Sequence, residues 1–122
     1  MTLRTILLAA TLFGLAHTAG AARVLEQVER AVELRLSQLT LPGGTDGTLS
    51  FRTCADCRVG SHRVSATTKY LLDGSEVPLE DFRRAIEEIR KSRAANESTI
   101  AAVFLDLATE RVTRVSVRRF AP

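Results

Sequence analysis

The stretch FRTCADCRVGSH, residues 51–62, holds the residue types in this chain that are best suited to chemistry. It contains both cysteines, Cys54 and Cys57, with two residues between them, and His62, one of the two histidines. Two thiols at this spacing can form a structural disulfide, cycle between oxidised and reduced states, or supply two ligands to a metal ion. The surrounding sequence favours the first of these chemistries and leaves the other two as alternatives.

A redox centre of the thioredoxin type places its first cysteine at the N-terminus of a helix, where the helix dipole makes the thiol a better nucleophile. In this chain the residues before Cys54 alternate in polarity like a strand, and those after Cys57 show no helical periodicity. The chain also has no tryptophan to accompany the pair. Thiol-redox activity at Cys54 and Cys57 is therefore an alternative to the structural bond.

A zinc site has four ligands, or three protein ligands and a water molecule when the site is catalytic. Cys54, Cys57 and His62 supply three candidates, and Asp56 between the cysteines is a poor fourth. No second pair of cysteines or histidines at metal-binding spacing is present. Metal binding by Cys54, Cys57 and His62 is the other alternative, and we expect no metal or other cofactor.

The first 21 residues have the pattern of a cleaved signal peptide. Arg4 gives a short positive start, residues 6–16 are mostly apolar, and Ala-Gly-Ala at 19–21 fits a cleavage site. This apolar run is shorter than the roughly 20 residues that cross a bilayer as a helix. The sequence therefore predicts one small domain over 22–122, periplasmic or secreted, with no stable membrane insertion after cleavage.

Export to an oxidising compartment favours a disulfide between Cys54 and Cys57. We expect it to fix a turn at Ala55 and Asp56 between two strands. Because it closes a very short loop, its stabilisation should lie at or below the usual ~2–4 kcal/mol. His62 is then a half-exposed strand residue, since no Ser/His/Asp spacing provides a group to orient it as a base.

The charge balance and the missing motifs narrow the class of function. The chain has 17 basic and 14 acidic residues, which is too even to indicate a nucleic-acid partner. No glycine-rich phosphate loop or paired carboxylates are present, and Asp106 is expected to begin a turn rather than to act in catalysis. We expect a non-enzymatic binding or accessory protein with an unknown protein or cell-envelope partner. A small hydrolase or lyase is a further alternative without assignable residues.

The rest of the chain predicts an α+β fold, a small, mainly antiparallel sheet with one clear amphipathic helix packed on one face. The helix is expected over 78–93, because its apolar residues recur at spacings of three and four. Strands are expected at 48–54, in a hairpin about Asp73–Gly74, at 100–107 as a central strand, and at 112–117.

Two segments have less certain patterns. Residues 23–41 fit both a helical stripe and strand alternation, and we interpret them as a helical start that passes into a strand near Ala31. RAANEST, from Arg93, breaks the helical pattern. Four arginines form a basic C-terminal edge, which we interpret as a charge-protected edge strand: Arg111, Arg114, Arg118 and Arg119.

The stretch from Cys54 to Val117 resembles small uncharacterised exported proteins of Gram-negative bacteria. That family has a C-x-x-C in a strand, a T-x-Y/F-x-x-x-G-x-x-V-x-L hairpin and a strand pair ending in V-T-R-V. The resemblance covers about half of the chain and implies export but no activity. A fainter similarity links residues 70–86 to the periplasmic domain of ExbD/TolR-type biopolymer-transport proteins, and it implies a similar local fold without functional residues. The residues that match the first family are Cys54, Cys57, Thr68, Tyr70, Gly74, Val77, Leu79 and residues 112–115.

Overall fold

The structure, a computed structural model, describes residues 28–119, so the predicted signal peptide at 1–21 lies outside the described residues. Strands account for most of the regular structure, with two helices and one short 3-10 turn at Leu36–Gln38. In chain order the elements are β1 (Glu29–Arg35), β2 (Leu39–Thr40), β3 (Thr48–Phe51), β4 (Gly60–Arg63), β5 (Lys69–Leu72), β6 (Ser75–Val77), α1 (Leu79–Arg90), α2 (Arg93–Ser98), β7 (Ile100–Asp106) and β8 (Val112–Val117).

The strands form two sheets, which confirms the predicted α+β class. The larger sheet has the order β1-β7-β8-β5-β6 and is antiparallel except for the β5–β8 pair. The smaller sheet, β2-β3-β4, is antiparallel throughout. The sequence predicted one sheet. The strands divide into two because the 3-10 turn after Arg35 redirects the chain before β2 begins.

The amphipathic helix packs on one face of the larger sheet, as predicted. Phe82 and Ile86 of α1 are fully buried, and the Phe82 ring contacts Tyr70 of β5. Tyr70 belongs to an apolar row that crosses the sheet through Val115 and Val103. Burial of such rows supplies most of the stability of a domain of this size.

Residues 23–41 were interpreted as a helical start that passes into a strand near Ala31, and the strand is confirmed, beginning at Glu29. Residues 29–35 form strand β1, which pairs with β7 over its whole length. Leu34 is buried while its neighbours Glu33 and Arg35 are exposed. The two-residue alternation therefore prevailed over the helical spacing within 29–35, where pairing with β7 satisfies the backbone groups of every second residue. Residues 23–27 lie outside the described residues.

The interpretation of the basic segment from Arg111 to Arg119 as an edge strand is wrong. Strand β8 lies between β7 and β5 in the interior of the sheet. Its parallel partner β5 precedes it by some forty residues, a pairing that no local pattern reveals. Arg114 projects from β8 with its guanidinium 3.9 Å from the centre of the Phe104 ring, and Arg119 bonds Asp73. The RAANEST segment, predicted as a break, contains the short helix α2, which Ser92 caps.

None of the helices described between residues 28 and 119 has the length and apolar character needed to cross a membrane.

Candidate functional site: a groove beside the disulfide loop

The two cysteines lie in the connection between β3 and β4, which we call the disulfide loop and define as residues 52–59. They are at disulfide distance, with their Cα atoms 5.0 Å apart. The backbone N–H of Cys57 donates to the carbonyl oxygen of Cys54 at 3.3 Å, which closes a turn about Ala55 and Asp56. The structure thus contains the predicted turn between two strands, with the cysteine pair at its base.

The surroundings of the pair differ from those of a thioredoxin-type centre. The loop leads from one strand to another, so neither cysteine begins a helix that would activate its thiol. Cys54 is exposed and Cys57 is half-buried. Their sulfurs lie at a distance compatible with a disulfide bond, and no free cysteine occurs among the described residues.

His62 lies on β4, as predicted, but its side chain is only 15% exposed. Its ring stacks on Phe51 at a centroid distance of 5.2 Å. Its Nδ1 lies 2.9 Å from the carbonyl oxygen of Glu110. Since a carbonyl oxygen only accepts, Nδ1 carries the proton in this contact. His62 therefore joins the smaller sheet to the turn before β8.

The structure does not assemble the three candidate metal ligands. Across residues 28–119, no three His, Cys, Asp or Glu side chains form a group that could hold a metal ion. The sulfurs of Cys54 and Cys57 bond each other, and Nδ1 of His62 contacts Glu110. The sequence placed these residues near one another along the chain, but the strand geometry gives them separate roles.

Asp106 begins a turn, as expected. Its Oδ1 accepts hydrogen bonds from the backbone N–H groups of Thr109 at 2.8 Å and Ala108 at 2.9 Å, and from the Thr109 hydroxyl at 3.0 Å. The bonds from the Thr109 backbone and hydroxyl, followed by that from the Ala108 backbone, lower the pKa of Asp106. The carboxylate thus orders the β7–β8 connection.

A groove of about 540 Å³ lies beside the disulfide loop, and we call it the disulfide groove. Its floor is the polar face of the smaller sheet, where Thr40 and Ser50 are cross-strand partners. The 3-10 turn, the disulfide loop and Glu97 of α2 supply the rest of the lining. The N–H of Arg52 donates to the carbonyl oxygen of Gln38 at 3.2 Å, so these two lining residues are neighbours across the sheet.

The groove presents two guanidinium groups. Arg35 is 64% exposed and lies 3.9 Å from the Glu97 carboxylate, which also accepts a bond from Ser37 at 3.2 Å. Arg52 donates to the carbonyl oxygen of Ala55 at 3.2 Å, which holds its side chain against the loop. Each guanidinium has five N–H donors, so these contacts leave several for a ligand.

Strand β2 does not offer its outer edge to a further strand, because the backbone groups there already have hydrogen-bond partners. The N–H of Leu39 donates to Leu36, and its carbonyl oxygen accepts a bond from Arg90. These outward-facing groups are therefore satisfied within the chain. A ligand in the groove would be recognised through side chains rather than by adding a strand at β2.

A second cleft, of about 610 Å³, lies where the β5–β6 hairpin meets the start of α1. Glu76 is the one charged residue among the described residues that line it. Tyr70 also lines this cleft, but its hydroxyl is buried without a hydrogen-bond partner among the described residues, and burial raises the pKa of Tyr70. The described residues give this cleft fewer polar side chains than line the disulfide groove.

Sequence analysis identified only part of this site. It predicted the turn at Ala55 and Asp56 between two strands, which the structure contains. It did not identify Arg35 or Glu97, which reach the groove through the 3-10 turn and the unpredicted α2. These residues come from segments far apart along the chain, and only the tertiary fold brings them together.

Comparisons with protein-family models, with curated proteins and with solved structures each find no match. The disulfide groove is therefore interpreted from its own residues.

Proposed function

We propose that this protein is a non-enzymatic binding domain that acts in the periplasm or outside the cell. Its ligand is a short, extended peptide segment of an envelope partner protein, bound in the disulfide groove. The observation that carries the proposal is that two guanidinium groups, several hydroxyls and an exposed valine line the same groove. The groove lies beside a loop that the cysteine pair closes.

The side chains of the groove indicate the chemistry of the segment. Arg35 and Arg52 favour a carboxylate, because a guanidinium pairs with carboxylate oxygens in a fixed, two-pronged geometry. The hydroxyls of Thr40 and Ser50 on the floor can exchange hydrogen bonds with peptide groups. Val59 is 53% exposed and offers apolar contact to one side chain. We therefore expect an acidic residue near an aliphatic residue in the bound segment.

The disulfide has a clear role in this proposal. A surface loop normally loses conformational freedom when it closes on a ligand, and that loss weakens binding. The bond between Cys54 and Cys57 fixes the turn before any ligand arrives. Reducing it should weaken peptide binding while leaving both sheets intact.

The proposal is tested by NMR titration of the processed protein with a library of short peptides, each with one acidic and one aliphatic residue. The expected shifts occur at Gln38, Ser50 and Val59, and added salt should weaken binding. Arg52→Ser should lower affinity about tenfold, the scale of one charge-assisted contact. Arg118→Ser removes the same charge from an exposed site outside the groove and should change little. Shifts that avoid the groove, or equal effects of the two variants, would contradict the proposal.

Thiol–disulfide exchange is the second candidate, because Cys54 is exposed and lines the groove. In that reaction a partner thiolate attacks the Cys54 sulfur, the bond to Cys57 breaks, and Cys57 leaves as a thiolate. A redox titration separates the candidates. A potential below about −300 mV indicates a structural bond, whereas one near −120 to −200 mV indicates an exchange centre.

A further inference from the structure

Strand β1 is an edge of the larger sheet, and within residues 28–119 it pairs only with β7. The carbonyl oxygen of Val28 accepts from Leu107, and the N–H of Leu36 donates to Thr99. Backbone hydrogen bonding alternates along an antiparallel strand, so the N–H and carbonyl groups of the even-numbered residues of β1 point toward β7. The peptide groups of Ala31 and Glu33 consequently point away from the sheet.

The same edge ends at a defined position. The N–H of Arg35 also belongs to the outward-facing set, and it donates to Oε1 of Gln38 at 2.8 Å. This bond occupies the last outward N–H before the 3-10 turn. The edge available to another strand is therefore short and centred on Val32.

The sequence of β1, ERAVELR, is complementary in charge to its own reverse. When two copies run antiparallel with Val32 opposite Val32, Glu29 of each copy faces Arg35 of the other. Ala31 then faces Glu33. Glu29 and Arg35 lie on the same face of the strand, since both are odd-numbered. Opposite charges directly across a strand pair are favourable, and like charges are unfavourable.

Neighbouring registers lose this match. An axis at Ala31 places Glu29 opposite Glu33 twice, and an axis at Glu33 places that residue opposite its own copy. Either shift also shortens the overlap of the seven-residue strand. Charged residues on an edge strand usually prevent indiscriminate pairing. Here they disfavour the shifted registers and permit the one centred on Val32.

We propose that two copies of this chain associate through β1 in that register, with a two-fold axis at Val32. The pairing joins the two five-stranded sheets into one continuous sheet. Ala31 and Glu33 of the two copies exchange backbone hydrogen bonds on either side of the axis. Arg114, whose guanidinium lies 3.7 Å from Glu29, holds that carboxylate on the face where Arg35 of the second copy would lie.

The first test is sedimentation velocity over a wide range of protein concentrations. The sample is the mature protein, recovered after its host cell has removed the predicted signal peptide. We expect a reversible monomer–dimer equilibrium. Arg35→Glu places like charges opposite each other twice and should raise the dissociation constant at least tenfold. The double variant Glu29→Arg/Arg35→Glu restores opposite charges across the pair but sets the new charges against Arg114 and Glu97 of the same chain. It should therefore recover part, not all, of the affinity lost in Arg35→Glu.

A second test fixes the register. Facing residues of a pair without direct hydrogen bonds have Cα atoms about 4.5 Å apart, within the range of a disulfide. Val32→Cys should therefore form a covalent dimer on oxidation. Ala31→Cys is the matched control, because residue 31 of one copy faces residue 33 of the other and its sulfurs cannot meet.

Three results would overturn the proposal. One is a monomer at every concentration. Another is a dimer that Arg35→Glu leaves unchanged. The third is equal cross-linking by Val32→Cys and Ala31→Cys.

Discussion

Tyr70 of β5 and Phe82 of α1 join the larger sheet to the helix, with ring centroids 5.3 Å apart and ring planes inclined by 44°. Tyr70 is 4% exposed, and Phe82 is completely buried. The contact is apolar apart from the Tyr70 hydroxyl, which has no hydrogen-bond partner within residues 28–119. A buried polar group without a partner opposes folding, because it gives up its bonds to water for nothing in return.

Tyr70→Phe is therefore expected to raise the free energy of unfolding by about 1 kcal/mol, since it removes an unsatisfied hydroxyl and retains the ring. Urea unfolding followed by circular dichroism measures the change.

The matched control is Thr68→Val, because Thr68 is a buried hydroxyl that does have partners. It accepts from the N–H of Ser65 and donates to the carbonyl oxygen of Val112, both at 2.9 Å. Removing the Thr68 hydroxyl leaves the Ser65 N–H and the Val112 carbonyl oxygen without this partner and should lower the free energy of unfolding by about 1–3 kcal/mol. If both variants lower stability equally, the assignment of an unsatisfied hydroxyl to Tyr70 would be wrong.

The β5–β6 hairpin depends on a glycine for its backbone conformation. Asp73 and Gly74 both have positive φ, 51° and 86°. Nothing lies within 4 Å of a Cβ added at Gly74, so Gly74→Ala would meet a backbone penalty and no clash. We expect a loss of about 1–2 kcal/mol.

Gly43→Ala is the control for that measurement. This position also has open space, and its φ lies outside the positive range. The substitution should be neutral, or should stabilise by about 0.4–1 kcal/mol through the unfolded chain. Equal losses for the two variants in chemical denaturation would show that the Gly74 conformation is not the cause.

Acid should weaken the fold through two carboxylates. The backbone N–H of Arg119, and then its guanidinium, bonds Asp73 and lowers the pKa of that carboxyl. The Thr109 backbone and hydroxyl do the same for Asp106. A lowered pKa in the folded state gives stability that is present above the ordinary carboxyl value of 3.8 and is lost as the pH falls through the folded-state value. Thermal unfolding should thus become easier below about pH 4. The double variant Asp73→Asn/Asp106→Asn should show a shallower acid dependence, and an unchanged dependence would contradict this assignment.

The sequence predicted the local elements well where one kind of pattern dominated. The helix that contains Phe82, the Asp73–Gly74 hairpin and the buried strand at 100–106 all have clear periodicity or turn chemistry. Each of these signals depends on neighbours within a few residues, and each appears in the structure. The Ala55–Asp56 turn was predictable for the same reason.

Features set by distant parts of the chain were not predictable. The parallel pairing of β5 with β8 makes β8, the strand that carries Arg114, an interior strand of the sheet. The arginine-rich sequence of this segment is instead typical of an edge strand. The antiparallel pairing of β1 with β7 likewise joins segments that are distant along the chain. Arg35 and Glu97 meet in the disulfide groove although 61 positions separate them in the numbering. No local pattern contains these relationships, because tertiary contacts create them.

Removing the disulfide should alter the conformation of the disulfide groove but lower the free energy of unfolding only slightly. Only two residues separate Cys54 and Cys57, so the bond restricts little of the unfolded chain. We expect Cys54→Ser/Cys57→Ser to lower the free energy of unfolding by about 2 kcal/mol or less. Amide shifts should change across residues 52–59 and at Ser50, while those of α1 remain, because the loop lies outside both sheets.

Chemical reduction of the unmodified protein is the control, since it breaks the bond without changing the side chains. It should reproduce both the small loss of stability and the local shifts. If either treatment costs more than about 4 kcal/mol, the bond stabilises more than its loop, since that exceeds what so short a closure supplies. The disulfide would then be a core element of the fold, and the role proposed for it in preparing the groove would be wrong.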